Sequence, residues 1–417
     1  MAPRTRRIAR IRSSGANVAL ALVATAVAFA AAEVGARILY HPENLGTVIQ
    51  FDRHLGWSLQ PRSYLHSVDT IRDLEYTIRV NALGMRDREV DLEKASGQRR
   101  ILFVGDSFSF GVGVEEGWRL SEFVGRALPG TEALNASVCG WGTDQELLQY
   151  ERFAHKLRPD VVVLTFCASN DVLNNMLDHI YLGTTAKPRF VVRADSLVLE
   201  REELAKPRIA GRHRLRNWLR NSRLLLFAKR RIDAYRTEAT DAEVVNHYHA
   251  GYGPQDAARP HSHWSVFERE YDAEFEEGWR VTEKVLERFA SDCRRDGAEL
   301  IVLAFPLELE VDDAWREQAI EHARIDGDKL DIEKPFERLE TICRNIGVEY
   351  IHPLDEFRAA AERHRLYFEK DVHPNAFGHA AAARALLEEL RLRHGIAYTV
   401  AARDLDYFPA PATPDVR

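Results

Sequence analysis

The sequence predicts an α/β protein: a three-layer α/β/α sandwich on a mostly parallel five-stranded sheet, with an N-terminal membrane helix and a large, mostly helical insertion. Three observations carry this reading. From Arg100 onward, short apolar runs alternate with helical patterns, as repeated βα units require. The runs are apolar at successive positions, which suits strands covered on both faces. At 417 residues the chain has room for one large domain with appendages.

The N-terminus opens with Arg4, Arg6, Arg7, Arg10 and Arg12, followed by residues 13–32 without a charge. Such a stretch matches the ~20 residues that cross a bilayer as one helix. With the arginines before it and only Arg37 soon after, the positive-inside rule keeps the N-terminus in the cytoplasm and exports the remainder. Residues 1–40 therefore read as a basic tail and a single-pass signal anchor. Ala28-Phe29-Ala30 also offers a cleavage site, so a removed signal peptide stands as the alternative, and either one exports the rest of the chain.

Residues 41–98 lack a strong helical period and contain pieces such as Tyr76-Thr77-Ile78-Arg79-Val80, so they read as a small β-containing lead-in. Strands are expected at Ile101–Gly105, Ala133–Ala136, Val161–Phe166, Glu299–Phe305 and Val348–Ile351. Helices are expected over Thr143–Leu157, Tyr271–Arg295, Leu330–Asn345 and Asn375–Arg393. The main domain is thus 99–171 with 271–395, interrupted by an insertion at 172–270 and followed by a tail at 396–417. That insertion is well beyond ordinary loop length and must carry structure or function of its own. Within it, Lys206–Arg236 holds eleven Lys/Arg and one acid, Asp233, interleaved with apolar residues such as Trp218, Leu219 and Leu225. An amphipathic helix at a membrane surface or against an anionic polymer is one reading, and a solvated helix packed by its apolar side on the main domain is the other.

A net charge of −7 and 45% hydrophobic residues describe an ordinary folded protein, with no bulk signal for a nucleic-acid partner. Cys139, Cys167, Cys293 and Cys343 make no dense disulfide framework. A Cys139–Cys167 pairing and four small buried thiols are the readings left open.

The chemistry concentrates in four places. The first apolar run ends in Gly105-Asp106-Ser107, and Asp371-Val372-His373-Pro374-Asn375 lies far downstream. A serine hydroxyl is a poor nucleophile near neutral pH, so it needs an imidazole to take its proton and a carboxylate to hold that imidazole in one tautomer. Ser107, His373 and Asp371 supply those parts. A tetrahedral intermediate also needs donors aimed at its oxygen. Gly140, in Asn135-Ala136-Ser137-Val138-Cys139-Gly140, and Asn170, in Ala168-Ser169-Asn170-Asp171, are candidates on two loops. Ligands of doubly wound sheets bind beyond the carboxyl ends of the strands, and Ser107, Gly140 and Asn170 each follow an expected strand. His373 sits before the last long helix, where Pro374 fits a first helical position and can pin the loop.

Gly-Asp-Ser, then Asn-Ala-Ser-x-x-Gly, then Asn-Asp, then Asp-x-His-Pro-Asn resembles the four ordered blocks of the SGNH (GDSL-type) hydrolase family, over roughly residues 75–395. The resemblance implies a flavodoxin-like sheet, ester chemistry at Ser107, and an oxyanion hole formed by the Ser107 N–H, the Gly140 N–H and the Asn170 amide. Two departures stand out. Asp371 is two residues before His373 where many members have three, and Ser169 replaces a glycine before Asn170. The first spacing resembles that of membrane-anchored members that handle acetyl groups on envelope polysaccharides. Leu55-Gly56-Trp57 and Asn81 to Asp87 likewise resemble the segment that precedes the first block there.

The expected function is an exported serine esterase acting on acyl esters, in first place O-acetyl esters, of a cell-envelope glycan. The alternatives are an O-acyltransferase using the same acyl-serine intermediate and a non-catalytic envelope protein that binds glycan. No cofactor or metal is required. Gly111-Val112-Gly113 lacks the spacing of a nucleotide loop and reads as turn glycines. His247, His249, His261 and His263 share no recognised metal-ligand spacing and read as surface-loop residues. Asp106 and Asp171 read as loop-bracing acceptors, and His352 and His379 as structural.

Overall fold

The computed structural model describes residues 48–69, 72–181, 185–205, 222, 224, 225, 252–404 and 406–407, together with 17, 20, 21, 23–25 and 27–36 near the N-terminus. The chain divides into two compact units, Met1–Glu43 with Pro207–Asp241, and Asn44–Lys206 with Ala242–Arg417.

In the first unit the described residues between 17 and 36 are helical (α1). Among the described residues, no helix is long and apolar enough to cross a membrane. Glu33 is buried and accepts hydrogen bonds from the Ser222 hydroxyl at 2.7 Å and the Leu224 N–H at 3.1 Å, tying the described residues of the basic block to α1. The rest of that block, and His247 and His249, lie outside the described residues.

The second unit begins with two antiparallel hairpins, β1 (Ile49–Asp52) with β2 (Gly56–Leu59), and β3 (Tyr64–Asp69) with β4 (Leu74–Arg79). These form the β-containing lead-in. The central sheet follows: β5 (Arg99–Gly105), β6 (Thr131–Asn135), β7 (Val161–Phe166), β10 (Glu299–Ala304) and β11 (Glu349–Ile351), all parallel. Between β7 and β10 lies a further hairpin, β8 (Phe190–Arg193) with β9 (Ser196–Leu199). All five expected core strands are present. Their order across the sheet is β11-β10-β7-β5-β6, so the winding reverses between β5 and β7, which is the flavodoxin-like arrangement.

Helices cover both faces of the sheet. They are α2 (Ser107–Phe110), α3 (Leu120–Ala127), α4 (Thr143–Leu157), α5 (Ala168–Met176), α6 (Ala273–Asp296), α7 (Asp313–Ala323), α8 (Lys334–Ile346), α9 (Leu354–Ala361) and α10 (Ala376–His394). α6 packs on α4, α5 and α8, while α3 pairs with α10. β7, reading Val-Val-Val-Leu-Thr-Phe, is buried at every position, as a central strand between two helical layers must be. The tail after α10 folds back on α3, where Arg126 meets Asp404 at 3.0 Å and Trp118 packs against Tyr407.

Two expectations need correction. The insertion is expected to be mostly helical, but its described part contains the β8–β9 hairpin. Pro374 is not the first helical residue of α10. Asn375 is the N-cap, accepting from the Phe377 and Gly378 N–H groups, and an asparagine side chain satisfies those orphan donors as a proline before it cannot. All four cysteines are free thiols.

Lys187, fully buried, fastens the segment after α5 to the start of α4. Its ammonium pairs with Asp144 and donates to the carbonyls of Asn174 at 2.9 Å and Pro188 at 3.1 Å. Removing one partner of a buried pair strands the other, at roughly 3–5 kcal/mol. Lys187→Met is therefore expected to lower the unfolding free energy by about that amount. Adding Asp144→Asn should recover part of the loss. Denaturant titration of the three proteins checks this, and a single variant within about 1 kcal/mol of the parent would overturn it.

Candidate active site

The site lies beyond the carboxyl ends of β5, β6 and β7, at the point where the sheet reverses its winding. Gly105 ends β5 because a Cβ there would fall 1.8 Å from Thr165 Oγ1 on the neighbouring strand. Asp106 then caps α2, its side chain accepting from the Phe108 N–H at 2.8 Å. Ser107 is thus the first residue of a short helix, held by its neighbour rather than acting as the cap. Its side chain is partly exposed and open to a substrate.

The three expected catalytic residues converge. His373 Nε2 lies 2.8 Å from Ser107 Oγ. On the other side of the ring, His373 Nδ1 hydrogen-bonds Asp371 Oδ1, and the His373 N–H donates to the same oxygen at 3.0 Å. The two-residue spacing, Asp371 to His373, lets one carboxylate oxygen bind both the backbone and the ring of the histidine it orients. Burial alone would raise the Asp371 carboxyl, but the His373 imidazole and the Arg72 guanidinium outweigh it and hold the acid well below the usual carboxylate range. The imidazole is further confined by Phe108, whose ring centre is 5.2 Å from it, and Phe108 in turn packs edge-on against Phe305. Phe368 N–H donates to the His373 carbonyl at 3.1 Å, which ties down the loop.

The oxyanion candidates also gather here. After β6 the chain keeps running alongside β5: the Ala136 N–H donates to Phe103 O at 2.8 Å and the Val138 N–H to Gly105 O at 3.0 Å. Gly140 has φ +78°, and a Cβ on it would press on Ile180 at 3.1 Å. Asn135 shapes this loop, its amide donating to Ser109 O and its oxygen accepting from the Ser137 N–H. Asn170 sits in the first turn of α5 rather than on a loop, and its Nδ2 donates to Asp106 Oδ2 at 2.7 Å. An amide nitrogen carries two protons, so this bond orients the group and leaves a second N–H for an incoming oxygen. Among the described residues, the Ser107 and Gly140 N–H groups donate to no backbone carbonyl. Ser169, the residue before Asn170, buries its hydroxyl 3.4 Å from Cys167 Sγ.

Asp106 and Asp171 brace these loops, as expected; Asp171 accepts from the Cys167 N–H at 2.6 Å. Burial pushes Asp106 above the usual carboxylate range against the pull of Asn170; burial and then the Asp106 charge push Asp171 well above it, and burial and then the Asp171 charge do the same to Glu146. His379 is buried, and burial lowers it to about 3, so it stays neutral and accepts the Leu120 N–H at 3.2 Å. Gly111 and Gly113 belong to the turn that ends α2. His261 rests against Asp272 at 3.0 Å, and among the described residues no group of three or more His, Cys, Asp or Glu side chains is placed to hold a metal.

Sequence reasoning missed the lead-in's part in this site. Arg86 is fully buried and donates to the carbonyls of Phe110, Gly111, Thr77 and Val114 at 2.7–2.8 Å, gripping the turn behind Ser107. Asp87 Oδ2 accepts the Asn135 N–H at 2.7 Å. Trp57 donates its indole N–H to Cys139 O at 3.0 Å, and Trp141 donates to Trp57 O at 3.2 Å. Arg72 reaches Asp371 Oδ2 at 3.0 Å. The available signal was a run of charged residues in an otherwise β-like segment, which by itself reads as solvated surface.

No family model matches the chain, and no curated protein matches it at the level of sequence. Solved structures similar to it include a catalytic mutant of Axe2, an acetylxylan esterase from Geobacillus stearothermophilus, at 13% identity and TM-score 0.35, covering 72% of this chain and 96% of that one. Another is a GDSL-like lipase from Bacteroides thetaiotaomicron, at 11% identity and TM-score 0.31, covering 70% and 88%.

Replacing Asp371 by Asn keeps the shape but removes the anionic acceptor that sets the His373 tautomer. Phosphonylation of Ser107 by a fluorophosphonate is expected to slow by ~10⁴, as when a triad aspartate becomes an amide. Time-resolved labelling followed by mass spectrometry measures this, and a rate within tenfold of the parent would remove Asp371 from its role.

Proposed function

We propose that this protein is a serine esterase that cleaves acyl esters through a covalent acyl-serine intermediate, exported and held at the membrane by its N-terminal helix. The observation that carries the reading is the relay itself: Ser107 Oγ at 2.8 Å from His373 Nε2, with Asp371 on the far nitrogen of the same ring.

The steps follow from these atoms. Ser107 Oγ forms a bond to the ester carbonyl carbon as its proton passes to His373 Nε2. The carbonyl π electrons move to oxygen, which is received by the Ser107 N–H, the Gly140 N–H and the free N–H of the Asn170 amide. Collapse of this intermediate breaks the bond to the alcohol, which leaves with the proton from His373. A water or a sugar hydroxyl then attacks the acyl-serine and gives its proton to His373, which passes it to Ser107 Oγ as the acyl–oxygen bond breaks. Water makes the enzyme a hydrolase, and a sugar hydroxyl makes it a transferase. Asp371 stays ionised throughout and stabilises the imidazolium by its charge.

For the substrate we favour an O-acetyl ester on a cell-envelope glycan. Support comes from the two-residue spacing of Asp371 and His373, which resembles that of acetyl-handling envelope proteins. Export and anchoring are supported by the charge-free stretch 13–32 behind five arginines. The exposed Leu20, Val23, Val27 and Val34 on α1 point the same way, since an apolar surface of that kind suits lipid.

Ser107→Ala is expected to abolish p-nitrophenyl acetate turnover and fluorophosphonate labelling. Asn170→Ala should retain labelling chemistry but lose ~10² to 10³ in kcat, the usual effect of one oxyanion donor. Full acetate release by Ser107→Ala would sink the esterase reading. For the anchor, carbonate-washed membranes should retain the full chain, while a form lacking residues 1–40 should become extractable. Retention of the shortened form would remove the anchor from the proposal.

A further inference from the structure

Asp371 spends one oxygen, Oδ1, on both the ring and the backbone of His373. Its other oxygen lies in a nearly dry place, the side chain being 5% exposed, and a buried anionic oxygen needs a donor of its own. Arg72 Nη1 supplies it at 3.0 Å. The guanidinium is itself fixed: Arg72 Nε donates to Asp69 Oδ2 at 2.9 Å, and the Arg72 N–H donates to Asp69 Oδ1 at 3.1 Å.

We propose that Arg72 is a positioning residue for the relay, fixing the rotation of the Asp371 carboxylate so that Oδ1 faces His373 Nδ1. This rests on the esterase reading above. A carboxylate bonded through one oxygen alone can turn about its Cβ–Cγ bond and carry the imidazole with it. A second bond on the other oxygen removes that freedom. The planar fork of arginine suits the task, since it meets Asp69 and Asp371 through different nitrogens at once. At 37% exposure the Arg72 charge is partly screened by solvent, so the direction it imposes on the carboxylate adds to the pull of its charge.

The placement explains why the lead-in belongs to the site. Arg72 is carried by the turn between β3 and β4, outside all four motifs, 299 residues from the aspartate it holds. The hairpin does not float. Leu65, Leu74, Tyr76 and Ile78 seat it in an apolar cluster shared with Phe110 and Val112 just after Ser107, and with Val138 and Trp141 on the Gly140 loop. Asp371 is thereby indexed to the same body that positions the nucleophile.

The test compares the full-length parent with Arg72→Ala, Arg72→Lys, Asp371→Asn and Ser107→Ala, using p-nitrophenyl acetate and a fluorophosphonate. Loss of such a supporting contact typically costs about 10- to 100-fold. Arg72→Ala is expected to lose that much in kcat with KM changed less than about twofold, and to slow phosphonylation by a matching factor. Arg72→Lys should recover part of the rate. Millimolar guanidinium ion should partly rescue Arg72→Ala but not Asp371→Asn, which a merely structural role would not produce. A kcat for Arg72→Ala within twofold of the parent, alongside Ser107-dependent turnover, overturns the role of Arg72 and leaves the esterase reading standing. So does a loss that tracks the unfolded fraction in a thermal melt. Parent turnover that persists in Ser107→Ala overturns the esterase reading, and this role with it.

Discussion

A fully buried guanidinium, Arg86, holds the catalytic edge of the sheet together. Among the described residues it bonds no carboxylate and instead satisfies four backbone carbonyls, three of them in the turn that follows Ser107 and the fourth on β4. Its cation also lies over the rings of Tyr76 and Phe110 at 5.2 and 4.8 Å. Burial, helped by the nearby Arg119 charge, lowers it to about 9. A charge is costly to bury, and only a dense set of acceptors offsets that cost. The consequence is rigidity: the turn behind the nucleophile cannot move without stranding the cation.

Around that cation sits a second apolar cluster, distinct from the core of the sheet. Trp57, Leu59, Leu65, Tyr76 and Ile78 from the two hairpins meet Phe110, Val112, Val138 and Trp141 from the loops after β5 and β6. A parallel sheet delivers strand ends to one edge, but the loops beyond those ends have little of the ladder's stiffness. Here the hairpins supply it. They add hydrogen bonds at Cys139 O and Asp371 Oδ2, and Asp87, just beyond β4, adds one at the Asn135 N–H, so the lead-in grips the Gly140 segment twice and the histidine loop once.

Much of the fold was legible because its signals are local. Val161–Phe166 is apolar at nearly every position, and a strand buried on both faces must be. Thr143–Leu157 has the helical period, and its ends were found to the residue. The serine, histidine and aspartate were legible because their spacing and order repeat a known pattern. Ala168-Ser169-Asn170-Asp171 carries the polar residues of a turn and so suggests a loop at Asn170, but those residues also open helices, where Asp171 can satisfy the Cys167 N–H. The sequence offers Pro374 as the first helical residue of α10, but the asparagine after it is the stronger cap and the helix begins at Ala376. Phe190–Arg193 and Ser196–Leu199 are not legible because strands of four residues are too short to show a period.

The sequence by itself determined the chemistry on offer: a serine, an imidazole, a carboxylate and three donors, each at the end of an expected strand or before an expected helix. It also determined the alternation that forces a doubly wound sheet, since apolar runs of that kind are stable only between two layers. Which oxygen of Asp371 meets the ring, and what holds the other one, only the tertiary structure decided. Arg72, Arg86 and Asp87 look in the sequence like any charged residues of a polar β segment. Their roles depend on burial and on partners up to 299 positions away, and neither quantity is written in local composition.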